Sequence, residues 1–139
     1  MRRPVLPALA VLAALSTLAA AAPVTGAEVD CDTTGGRGWG TWIWSGRTAL
    51  SSVSLKARDT GADSYHPAVR LVTVTASGAV KHWSWHHVYG GSGATETWNT
   101  SARDGAGIKR ASIEVGIFDG GEQLNYFGCT SLGPANPRF

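Results

Sequence analysis

The chain has 139 residues, 43% hydrophobic and 16% charged, with 12 Lys+Arg against 10 Asp+Glu. That is enough for one domain with its own core. The two surplus cations are Arg2 and Arg3 and no run of like charge follows, so the electrostatic footprint of a nucleic-acid or anionic-membrane binder is absent.

The first 27 residues read as a secretory signal. Arg2 and Arg3 give a positive start, Val5–Ala22 is rich in Ala, Leu and Val, and Thr25-Gly26-Ala27 offers small residues for cleavage after Ala27. An uncleaved anchor competes, because the apolar stretch reaches the lower edge of a membrane span. Pro7, Ser16 and Thr17 break that stretch, and its commonest residue, alanine, inserts weakly. A lipid anchor at Cys31 fits poorly, since Glu28-Val29-Asp30 is acidic where small apolar residues are required. The expectation is a signal peptide over 1–27 and a single secreted domain over 28–139, without stable membrane insertion after cleavage. In that domain ten cations balance ten acids.

Cys31 and Cys129 are the two cysteines. In an oxidising compartment such a pair is expected to bridge, and closing so long a loop stabilises by about 4–5 kcal/mol in the chain-entropy account. A thiol nucleophile or thiolate–metal site would instead need a reducing setting and neighbouring ligands.

Strand signals then recur between turn clusters, with no long helical periodicity. After the glycine-rich Gly35-Gly36-Arg37-Gly38, the run Trp39–Trp44 is short and aromatic. Ala49–Arg58 alternates, with Val53, Leu55 and Ala57 on one face and Ser54, Lys56 and Arg58 on the other. Ala68–Thr75 is apolar on both faces, as a central strand would be. Val80–Tyr89 is expected to carry Trp83, Trp85, His87 and Tyr89 on one face and His82, Ser84 and His86 on the other. Thr95–Thr100 is shorter. Ile108–Phe118 sends Ala111, Ile113, Val115 and Ile117 inward, and Asp119-Gly120-Gly121 turns it into Gln123–Thr130. Pro134 and Pro137 mark an irregular tail. About seven strands without crossover helices predict an all-β, antiparallel sandwich of two sheets.

Six tryptophans are the main compositional anomaly. Each ring buries about 150–250 Å² in a core, or offers a flat platform to a sugar. Trp83 and Trp85 are expected in the core, whereas Trp39, Trp42 and Trp98 lie nearer turns and are candidate ligand contacts. Asp59, Asp63, Tyr65 and His66 cluster in the most polar loop and join them. Turn chemistry also explains those acids, and the regular acid spacing of a calcium loop is missing. His82 and His86, on one strand face, would sit about 13 Å apart, too far for one zinc ion with bonds of about 2.0–2.1 Å. A metal would need a recruit such as His66 or Asp63 from another strand. No metal or cofactor is expected. No G-x-S-x-G, H-E-x-x-H or phosphate-binding loop occurs. Asn99-Thr100-Ser101 is a formal glycosylation sequon.

The segment Ala57-Arg-Asp-Thr-Gly-Ala-Asp-Ser-Tyr-His66, with Val69-Arg-Leu71, Asp104-Gly-Ala-Gly-Ile108, the Asp-Gly-Gly turn, the late cysteine and Asn136-Pro137, resembles small secreted actinobacterial (Streptomyces-type) proteins. The likeness runs over residues 47–137. That group carries no assigned activity, so the resemblance implies secretion and compactness rather than a function.

The reading is therefore a monomeric, secreted, non-catalytic β-sandwich that binds extracellular polysaccharide or cell-envelope glycan through exposed aromatics. The alternative is a secreted protein-interaction factor of inhibitor or toxin type. A small hydrolase comes third, because no acid/base or nucleophile constellation stands out.

Overall fold

A computed structural model of the chain describes residues 26–129 and 133–139. The expected signal segment lies outside them up to residue 25, as does the expected strand end at Thr130. Among the described residues no helix is long and apolar enough to cross a membrane.

Among the described residues nine strands form: β1 (Gly26–Thr33), β2 (Gly36–Trp44), β3 (Ala49–Asp59), β4 (His66–Val74), β5 (Val80–His82), β6 (His86–His87), β7 (Thr95–Arg103), β8 (Arg110–Asp119) and β9 (Glu122–Gly128). Two antiparallel sheets result. One has the order β1-β2-β3-β7; the other runs β5-β4-β8-β9, with β6 also paired to β4. The expected all-β sandwich is this fold. The two strands beyond the expected seven are β1 and a division of Val80–Tyr89 into β5 and β6. Cleavage after Ala27 would trim only the first two residues of β1.

The core lies between the sheets. Val53, Leu55 and Ala57 of β3 face Val69 and Leu71 of β4 and Ala111, Ile113 and Val115 of β8, all at most 2% exposed. In β3 a bulge between Leu50 and Val53 turns Leu50 inward as well, and Ser52 takes a φ of 48° to do so. Along β2 the even residues point inward, so Trp42 and Trp44 meet edge to face with centroids 5.9 Å apart. Ahead of them on the same face, Gly38 and Gly40 carry no side chain. A Cβ on Gly38 would stand 2.5 Å from Val115 Cγ2, and one on Gly40 2.6 Å from Ile113 Cγ2. The glycines therefore let β2 lie directly on the apolar ridge of β8.

Two devices close the ends. Cys31 of β1 bridges Cys129, just past β9, with Cα atoms 4.9 Å apart, joining the two sheets near both chain ends. Asn136, 5% exposed, donates Nδ2–H to the carbonyls of Gly46 (2.9 Å) and Ile108 (2.8 Å), while its Oδ1 accepts the Arg138 N–H. The proline-marked tail is thereby pinned to the sandwich.

Candidate functional site

The β5–β6 segment decides what the two faces of the second sheet present. His82 opposes Val72, whereas His86 opposes Val69, so four steps on one strand match three on β4. The extra residue is a bulge, and one extra residue reverses every side chain that follows. His82 and His87 consequently face outward and His86 faces the sandwich interior. This corrects two expectations: His82 and His86 are on opposite faces, and so are Trp83 and Trp85. The Trp83 indole Nε1–H reaches inward to Thr73 Oγ1 at 3.0 Å, while Trp85 lies outside against Phe118 and beneath the Arg70 guanidinium, 4.2 Å from its ring.

The sequence-selected aromatics separate in the same way. Trp42 is 1% exposed and belongs to the core, which corrects its assignment as a ligand contact; the inward alternation of β2 places it there. Trp39 stands half-buried on the outer face of the first sheet, where Arg37 and Lys56 lie 4.9 and 5.0 Å from its ring centroid. Its ring thus already has cationic partners. Trp98 opposes Leu55 on the inner face of β7 and packs against the His86 ring at 5.2 Å.

The loop residues also part company. Asp59 is 1% exposed at the end of β3, where Oδ1 accepts the Gly61 N–H as a turn carboxylate. It adjoins a shallow cleft of about 350 Å³ shared with Arg37, Trp39, Arg58 and Ser92. Asp63 accepts the Tyr65 N–H and stays exposed, as does Tyr65 at 40%. His66 stands on the outer face of the second sheet, with Nε2 2.9 Å from His87 Nδ1. The four side chains do not form one site.

A groove does form where the sheets part, between β7 and the β5–β6 segment. Its volume is about 290 Å³, and Leu55, Leu71, Trp83, Ser84, His86, Thr100 and Ser101 line it. Leu55 and Leu71, 1% and 2% exposed, make an apolar floor. Trp83 is held by its own N–H to Leu71 O (3.0 Å) and by the Thr73 bond, and Lys81 Nζ sits 4.0 Å from its ring. The His86–Trp98 stack forms the facing wall. Burial lowers the His86 pKa below its usual 6.5, so at neutral pH the imidazole offers one donor and one acceptor. Ser84, Thr100 and Ser101 add hydroxyls at the rim. Apolar floor, aromatic walls and a few mixed donors and acceptors are the composition of a small-ligand pocket. Sequence reasoning found Trp98 and expected Trp83 on the core side, where it packs, but put His86 on the outer face, because only the bulge turns His86 inward beside them.

Comparison with protein-family models, curated proteins and solved structures gave no match.

Proposed function

We propose that this chain is an exported, non-catalytic module that binds polysaccharide or cell-envelope glycan in the groove between β7 and the β5–β6 segment. The single observation that carries the reading is the groove's composition: Trp83 and the His86–Trp98 stack beside three hydroxyl residues over a Leu55–Leu71 floor. Sugar rings present apolar C–H faces edged by hydroxyls, and the groove offers the complement of both. Export is supported by the leader pattern at the start of the chain and by the Cys31–Cys129 bridge, which persists in an oxidising compartment.

Titration of intrinsic fluorescence with soluble fragments of chitin, β-glucan and peptidoglycan tests the proposal. Saturable quenching or enhancement with at least one of them, weakened about two- to tenfold by Trp98→Ala, is the expected result. A stacking contribution of about 0.5–1.5 kcal/mol beyond simple burial sets that scale. No spectral change, together with no retention on any insoluble wall polymer, defeats it.

One observation favours the protein-interaction reading. Among the described residues β7 pairs with β3 alone, so nine residues of strand edge run beside the groove, and an extended peptide can add to such an edge. Stable co-purification of a secreted protein, lost when proline replaces Thr97, would select this reading over the glycan.

A further inference from the structure

The bulge that sends His86 inward sets His87 beside His66 on the opposite face of the sheet. His87 opposes Ala68 and His66 opposes Phe118, so both imidazoles rise from neighbouring positions of a continuous ladder through β4. Their nearest nitrogens, His66 Nε2 and His87 Nδ1, are 2.9 Å apart. Phe118, itself 5% exposed, packs on both rings, with centroids at 5.7 and 4.7 Å. Tyr89 flanks them at 4.6 and 5.5 Å but is 73% exposed, so one side of the pair opens to solvent. Further along the face Arg70, Glu114 and His82 satisfy one another, with Arg70 Nε donating to Glu114 at 2.8 Å and His82 Nδ1 3.5 Å from the same oxygen.

We propose that His66 and His87 form a two-imidazole site for a divalent transition-metal ion, Cu²⁺ by preference, with the remaining positions held by water or another oxygen ligand. With metal–nitrogen bonds of about 2.0–2.1 Å, two ligands at a right angle are about 2.8–3.0 Å apart, and two in a tetrahedron about 3.3–3.4 Å. The 2.9 Å separation equals the right-angle spacing; it is now spanned by a hydrogen bond, so each ring must turn until its nitrogen aims at the ion rather than at the other nitrogen. Tetragonal nitrogen–oxygen geometry suits Cu²⁺ or Ni²⁺, and Cu²⁺ heads the divalent affinity order. Both ligands stand on sheet backbone rather than on a free loop, so their backbones are already placed and only the two rings must turn when the ion enters. Coordination uses Nε2 of His66 and Nδ1 of His87. Whichever ring now donates the hydrogen bond moves its proton to its other nitrogen, and the neutral pair releases no net proton. Among the described residues no three His, Cys, Asp or Glu side chains gather around one point, so the described residues supply two ligands there.

The test is titration of the untagged protein with Cu²⁺ at neutral pH, followed by calorimetry and electron paramagnetic resonance. The expected result is one ion per chain and an axial spectrum with two-nitrogen superhyperfine structure. His66→Gln and His87→Gln should each lower affinity by at least the roughly 10–100-fold that loss of an outer-shell partner costs, whereas His82→Gln should leave it unchanged. Zn²⁺ should bind more weakly. Absence of saturable binding, a spectrum without imidazole nitrogens, equal affinity in the His66 and His87 variants, or a preference for Zn²⁺ overturns the assignment. The wild-type spectrum decides the matter even if a variant fails to fold. Glycan titration reads the groove on the other face, so the two proposals fail separately.

Discussion

Replacing Gly38 with alanine tests how closely the two sheets are packed. The added Cβ would lie 2.5 Å from Val115 Cγ2 and 3.3 Å from Val69 Cγ2, so at Val115 it stands roughly 1 Å inside the best carbon–carbon separation. Val115 and Val69 are both fully buried and cannot swing into solvent, so either the rotamers or the sheet separation must give. Overpacking of this kind costs about 1–3 kcal/mol. Alanine recovers about 0.5–1 kcal/mol of backbone entropy relative to a mid-strand glycine, leaving a net loss of about 1 kcal/mol at the middle of both ranges. At about 4–8 °C per kcal/mol for a domain near this size, the melting midpoint should fall by about 4–8 °C. Thermal and urea unfolding followed by tryptophan fluorescence measure it. Val115→Ala alone should also destabilise, but the pair Gly38→Ala/Val115→Ala should fall short of the summed losses by about 1 kcal/mol or more, because each change makes room for the other. A Gly38→Ala protein as stable as the parent, or strictly additive losses, would refute the close approach of β2 to β8.

Reduction of Cys31–Cys129, or its replacement by a serine pair, should cost about 2–5 kcal/mol; a urea midpoint that does not move on reduction would contradict that. Arg70→Ala should lose about 3–5 kcal/mol, because it leaves Glu114, 8% exposed, with His82 Nδ1 at 3.5 Å in place of its guanidinium partner and also uncovers the Trp85 ring. The combined Arg70→Met/Glu114→Leu change should recover most of that loss, and a double variant as unstable as Arg70→Ala would show that charge pairing is not what the site needs. Asn136→Ala should cost about 1–3 kcal/mol by stripping partners from the Gly46 and Ile108 carbonyls; hydrogen exchange should rise at the tail, and unchanged protection there would count against the clamp.

Much of the fold was legible because period-two alternation survives in it. Ile113, Val115 and Ile117 point inward as the pattern of the β8 segment requires, Gly120-Gly121 makes the hairpin with Gly120 at a φ of 57°, and both apolar faces of β4 mark it as central. The tryptophans of β2 were harder. Trp39 and Trp42 read alike as tryptophans near a glycine-rich turn, and only their parity on β2 sends one outward and the other into the core. The candidate sites were hidden by the bulge before His86. No glycine or proline punctuates Lys81–Tyr89, so W-x-W-x-H-x-Y reads as one uninterrupted strand. Its extra residue is imposed by what β4 offers: Leu71 O takes the Trp83 N–H and Thr73 takes its indole. That is a tertiary demand with no local signature. It explains why His66 and His87, far apart in sequence, meet on one face while His86 closes a groove on the other.

The most direct test of the glycan-binding account is an amide and indole NMR titration with the wall oligosaccharide that gives the strongest fluorescence response. The account predicts saturable shifts at the Trp83 and Trp98 indole N–H groups and the Ser84, Thr100 and Ser101 amides, with the Trp39 indole still. Shifts confined to the Trp39 cleft, or none at saturating sugar, would contradict it.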